Sequence, residues 1–257
     1  VAGLTVSDFW DAHARTIDPA AYRADRQYLG CQAEYPYEAM VRHVLEGHGA
    51  WVYAAQPDDD GAYGATTRLV QGRMVSRDLL DSCVELGYLA RQLGIYQLAE
   101  ASILDIGAGY GRLAHRLHVA LPTARVYCAD TVAASREVCA QYLAHRGVEP
   151  RVYAPSELDR LPAMSLAVAV HSWPECTLAE VQWWLGWLAD HKVPHLYVVP
   201  HDRALTCEWG SSPGPWAAPP HAPSFAEAIA MSGYELTDEW HGPACWPRAH
   251  HLYKRVR

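Results

Sequence analysis

The chain has 257 residues, half of them apolar, enough for one large domain or for a core domain with a smaller cap. Twenty-nine acidic against twenty-one basic side chains leave a formal charge of −8, which argues against a nucleic-acid partner, because such binders need a basic stripe. No apolar run approaches the roughly 20 residues that cross a bilayer, no signal peptide shows at the N-terminus, and seven scattered cysteines without a C-x-x-C pair read as buried reduced thiols; the expectation is a cytoplasmic protein with no membrane partner.

Residues 1–98 read mostly as helices. Asp18-Pro19 is a helix start, a capping residue followed by proline at the first helical position. Glu34–His48 and Met74–Leu93 are further helical stretches, the second carrying Leu79, Leu80, Val84, Leu86, Leu89 and Leu93 at helical spacing. Gln56–Gly64 between them is a turn-rich acidic loop.

From Ala101 short apolar runs alternate with helices, the mark of parallel βαβ units. The predicted strands are Ser102–Ile106, Arg125–Ala129, Arg151–Tyr153, Leu166–Val170 and His195–Val199. Predicted helices lie between them at Arg112–Ala120, Val132–His145 and Leu178–His191. Thr177 and Glu180 have capping-box spacing, and Ser224 and Glu227 repeat it before a helix at Phe225–Met231. Tyr234–Trp240 and His250–Val256 are then two antiparallel strands joined by a Pro-rich loop. The expected fold is α/β, a doubly wound, mostly parallel, seven-stranded sheet of the Rossmann-like kind with an N-terminal helical cap. The expected division is 1–98 as cap and substrate-binding region, and 99–257 as the ligand-binding core.

The segment Ile103–Leu113 reads ILDIGAGYGRL. A strand ending at Ile106 meets a helix starting near Gly111, and Gly107 and Gly109 let the backbone turn tightly and approach a ligand. The helix start behind them offers free amides to an anionic group. The dinucleotide pattern G-x-G-x-x-G is not met, and no lysine follows, which excludes a P-loop. Asp105 inside a buried strand is costly unless it has a partner.

Leu104–Gly111 resembles the first motif of class I methyltransferases, an acidic residue followed by G-x-G-x-G. The likeness extends over roughly Ala101–Arg257 and implies S-adenosylmethionine as cofactor, held by Asp105, Gly107, Ala108 and Gly109. It also implies that Asp130, with Thr131 beside it, takes the two ribose hydroxyls, as suits a bidentate carboxylate. The adenine contacts fall on Ser156 and Glu157 after Pro155, and the fourth motif on His171 and Ser172. The runs Gly72–Leu86, Gly107–Ala114 and His171–Glu175 together resemble the sugar O-methyltransferases of natural-product pathways.

For O-methylation of a small hydroxylated molecule, such as the sugar moiety of a natural product, a base is needed at the carboxyl ends of the strands. His171 and His201 both satisfy that, with Glu175 and Asp202 placed to orient them. N-methylation, or a repurposed fold that binds the cofactor without methyl transfer, stays open on these residues. No metal is expected: His241, Cys245, His250 and His251 lack finger-like spacing. Trp183, Trp184 and Trp187 either pack one helix on the sheet or form a subunit interface, which leaves a homo-oligomer open. Ten Trp and fifteen Tyr against two Phe suggest a pocket of aromatic faces with polar tips.

Overall fold

The computed structural model describes residues 35–57, 65–201, 204–207 and 223–257. The expected helix start at Asp18-Pro19, most of the Gln56–Gly64 loop, and Asp202 lie outside them. Helices α1 (Tyr37–Glu46) and α2 (Ala50–Ala55) come first, then strands β1 (Thr67–Val70) and β2 (Arg73–Ser76), and helices α3 (Arg77–Leu93) and α4 (Ile95–Ala99). The core follows as β3 (Ser102–Ile106), α5 (Arg112–Ala120), β4 (Arg125–Ala129), α6 (Ala133–His145), β5 (Val152–Tyr153), β6 (Leu166–Val170), α7 (Leu178–Asp190), β7 (His195–Val199), α8 (Ala226–Met231), β8 (Tyr234–Trp240) and β9 (His250–Arg255). Short 3-10 turns at Pro155–Arg160 and Trp173–Glu175 sit after β5 and β6.

Seven strands form one sheet in the order β5-β4-β3-β6-β7-β9-β8. β3 to β7 pair in parallel, and β9 runs antiparallel to both β7 and β8. The order reverses between β3 and β6, so a crevice opens at their carboxyl ends, where doubly wound sheets bind ligands.

Strand alternation builds the two layers. Ile103, Val168, Tyr197 and Val199 pack on one face against Leu79, Leu86 and Leu89 of α3 and Leu113 and Leu117 of α5. Their neighbours Leu104, Ala167, Ala169, Leu196 and Val198 pack on the other against Trp184 and Leu188 of α7 and Ile229 of α8. Trp184 and Trp187 are buried in that layer and Trp183 packs edge-on to Trp184, so the Trp cluster holds α7 to the sheet. Thr177 makes the expected capping box, its hydroxyl accepting from the Glu180 amide while Glu180 accepts from the Thr177 amide.

Three expectations are corrected. Met74–Ser76 is strand, not helix. Gln71 and Gly72, both at positive φ (50° and 83°), close a two-residue hairpin between β1 and β2, and Ser76 then caps α3. Ser224 is not the cap of α8; its hydroxyl accepts from the Ala226 amide, and Phe225 stands at the helix start. Cys245 is exposed, whereas Cys83, Cys128, Cys139 and Cys207 are buried as thiols. Among the described residues no helix is long and apolar enough to cross a membrane.

Candidate active site

The glycine-rich turn leaves β3 at the centre of the crevice. The Gly107 amide donates to the Ala129 carbonyl at 2.7 Å, and that of Gly111 to Ala108 at 2.9 Å. Gly107, Gly109 and Gly111 have φ of 70°, 56° and 86°, a region costly for any residue with a Cβ. At Gly107 space forbids one too: an added Cβ would lie 2.3 Å from the Ser172 Cβ. Ser172, in turn, donates its hydroxyl to the Ile106 carbonyl at 2.7 Å, tying the end of β6 to the turn.

Two carboxylates flank it. Asp130 braces the neighbourhood: one oxygen accepts from the Gly109 amide (3.2 Å) and the other from Val132 (2.8 Å). Burial pushes its pKa up to about 6, against the pull of those two amides and Arg136. Asp105 is buried in β3, and desolvation, opposed by Arg112, raises it to about 7. Thr131 offers its carbonyl to Arg136 at 2.9 Å. Ser156 is exposed on the 3-10 turn after β5, and the Glu157 carboxylate serves that turn, accepting from the Ala154 amide at 2.9 Å.

His171 follows β6 with φ of 61°, a left-handed conformation uncommon for a residue with a side chain. Its amide is held by the Val199 carbonyl at 2.7 Å, and its ring stacks on that of His201 with centroids 5.5 Å apart. His201 Nε2 meets Glu175 Oε1 at 3.1 Å. His171, His201 and Glu175 thus come together beside the turn. Burial, and then the positive charge of Arg248, hold the His171 pKa well below its ordinary value. Strain of this kind concentrates at functional sites.

The tail residues disperse. His250 bonds the Tyr197 hydroxyl at 2.6 Å, His251 is buried, and His241 faces Glu239 at 3.4 Å. Among the described residues no three His, Cys, Asp or Glu side chains are grouped to hold a metal ion.

One network escapes the sequence reading. Arg112, next to Gly111, makes two hydrogen bonds to the Glu85 carboxylate (2.9 and 3.0 Å) and one to Ser82 (2.8 Å). The Tyr110 hydroxyl donates to Asp78. Asp78, Ser82 and Glu85 lie on one face of α3, at i, i+4 and i+7, so this helix grips both residues flanking the last glycine. The available signal was Ser82 and Glu85 standing inside an otherwise apolar stripe.

This topology and turn are those of the Rossmann-like methyltransferase fold. The methyltransferase domain of bacterial CtHen1 superposes with a TM-score of 0.50 at 11% identity, over 66% of this chain and 97% of that one. Magnesium protoporphyrin IX methyltransferase from Synechocystis PCC 6803, with bound SAH, gives a TM-score of 0.49 at 15% identity, over 70% of this chain and 86% of that one. No protein-family model matches the chain, and no curated protein matches it in sequence.

Proposed function

We propose that the chain is an S-adenosylmethionine-dependent O-methyltransferase acting on a small hydroxylated molecule. The observation that carries this reading is the meeting, at the carboxyl ends of β3 and β4, of a three-glycine turn with two buried carboxylates, Asp105 and Asp130. The residues fit the cofactor. The backbone at Gly107–Gly109 gives its amino-acid end a close approach, and Asp105 is a buried acid in want of a cationic partner such as an ammonium group. Each Asp130 oxygen keeps a second acceptor position, one for each ribose hydroxyl. Ala108, Thr131, Ser156, Glu157 and Ser172 complete the rim. When bound, S-adenosylmethionine supplies a methyl group already activated by its sulfonium centre.

The chain's own part is to align the acceptor oxygen, an effect worth about 7–11 kcal/mol, and to take its proton. Residues 1–98 act as a cap on the 99–257 core, with α3 fastened to the turn through Tyr110 and Arg112. His171 is the base, kept neutral by its surroundings, and the His201–Glu175 pair supports its ring from behind. A sugar moiety of a natural product is the acceptor that the likeness of Gly72–Leu86 implies. Incubation with the cofactor and hydroxylated or amine acceptors, read by mass spectrometry, tests the reading. A gain of one methyl on oxygen supports it, gain on nitrogen alone points to N-methylation, and cofactor binding with no transfer points to a repurposed fold.

His171→Asn is the sharper variant, because asparagine tolerates the left-handed backbone and cannot serve as the base. Turnover should fall about 10²–10⁴-fold with cofactor affinity nearly unchanged. With saturating cofactor, wild-type turnover should persist below the usual histidine range and fall only as pH drops through the lowered pKa, since the base must be neutral. Wild-type turnover in His171→Asn would remove His171 from this role.

A further inference from the structure

A cleft of about 150 Å³ opens where the last turns of α5 and α6 meet the amino end of β4. Arg125, the first residue of β4, stands in its wall, and Asp130 follows the last. At about 3.3 Å per residue the cleft is therefore roughly 16 Å from the glycine-rich turn, at the opposite end of the strand. Its floor is apolar. Ala114 of α5, Leu143 of α6 and Val148 are buried there, with Val126 of β4 partly buried alongside. A space of this size holds one benzene-sized group.

The rim carries donors. The Arg125 side chain is exposed and makes no hydrogen bond or ion pair among the described residues, and His118 of the last α5 turn also lines the cleft. Arg151 stands there too, but Glu149 holds it at 2.7 Å, and that carboxylate is 76% exposed, so the two charges offset each other at the outer edge. What remains is one uncompensated guanidinium with its fork of N–H groups. The backbone adds a further donor. The amides of Cys128 and Asp130 donate to the carbonyls of Arg151 and Tyr153, so alternate residues of β4 face β5. Val126 belongs to that series but precedes the first β4–β5 pair, Cys128 with Val152, which leaves its amide without a ladder partner at the cleft.

We propose that this cleft is a second binding site, separate from the cofactor crevice, for a small monocarboxylate with an apolar body of about six carbons, such as an aromatic or branched-chain acid. The Arg125 fork takes both carboxylate oxygens, a match of geometry as well as charge, and the Val126 amide donates to one of them. The apolar body lies on Leu143 and Val148. One uncompensated charge suits a monoanion better than a phosphate or sulfate dianion, and a bare ion would leave the apolar floor unused. An amine meets the charge of Arg125, and Glu149, the one carboxylate in the wall among the described residues, is already paired. The site stands whether or not the chain transfers methyl groups.

The probe is 4-fluorobenzoate, titrated into the full chain and followed by fluorine NMR, with and without S-adenosylhomocysteine. Saturable binding at one site per chain is expected in both conditions. Nuclear Overhauser contacts should run from the ring protons to the methyl groups of Val126, Leu143 and Val148. 4-Fluorobenzyl alcohol, the same ring without the charge, should bind at least about tenfold more weakly, and 4-fluorobenzylamine more weakly still. Arg125→Gln, a change at an exposed side chain, should weaken 4-fluorobenzoate about tenfold, and Arg125→Lys should restore part of the loss by returning the charge without the fork. Glu149→Gln should tighten binding, since it removes the opposing charge. No saturable binding, equal affinity for the alcohol or the amine, or unchanged affinity in Arg125→Gln overturns the proposal. Displacement of the probe by an equal concentration of sulfate, or contacts to methyl groups outside the cleft, overturns it as well.

Discussion

Glu85→Ala should destabilise the protein by about 3–5 kcal/mol, the cost of stranding one partner of a buried ion pair. The Arg112 and Glu85 side chains are 16% and 3% exposed, and the fork between them ties α3 to the glycine-rich turn. Burial raises the Glu85 carboxyl above its ordinary value with Arg112 opposing it, so the pair persists only because both charges are present. Removing one leaves a guanidinium that Ser82 alone cannot satisfy. Urea unfolding measures the loss, which corresponds to a fall in Tm on the order of 10 °C for a chain of this size. A double variant, Glu85→Met with Arg112→Met, should recover at least half of it, because apolar side chains of similar volume replace buried pairs well. A loss below about 1 kcal/mol in Glu85→Ala would mean that the pair is solvated and does not hold the turn.

Asp105→Asn should do the opposite, stabilising the protein while weakening its ligand. The folded-state pKa of Asp105 is about 7 against an ordinary value of 3.8, so between those pH values the folded chain holds a proton that the unfolded chain has released. Its contribution to stability is complete below the unfolded value and is lost as pH rises through about 7. The asparagine variant escapes that loss. Its advantage over wild type should be small near pH 4, grow as pH rises, and level off above pH 7 at about 1–4 kcal/mol. Affinity for S-adenosylhomocysteine should meanwhile drop about 10- to 100-fold through loss of a charge-assisted contact. An advantage independent of pH would show that the fold leaves the Asp105 pKa at its ordinary value.

The sheet was legible because its strands announce themselves twice, by length and by alternation. Ile103 and Leu104, or Tyr197 and Val198, turn to opposite layers, and a run apolar at every position is what a strand covered on both faces requires. The turn was legible because Gly107, Gly109 and Gly111 leave little else for that backbone to be. What stayed hidden depends on partners distant in sequence. Arg112 and Glu85 are 27 residues apart, and neither type at its position signals a bond to the other. The β1–β2 hairpin was concealed because Met74 also fits the helical stripe, although Gly72 two residues before it was the better clue. The positive φ of His171 has no signature in the residue itself. The cleft beside Arg125 forms only where α5, α6 and β4 meet, which no local pattern encodes.

The central claim is that the Gly107–Gly111 turn and Asp130 hold an S-adenosyl group. Calorimetric titration of S-adenosylhomocysteine into the wild-type chain and into Asp130→Ala tests it most directly. The account predicts one site per wild-type chain and an affinity at least about tenfold weaker in the variant, the worth of one or two charge-assisted hydrogen bonds. No binding to the wild type, or equal affinity in a folded Asp130→Ala, would contradict it.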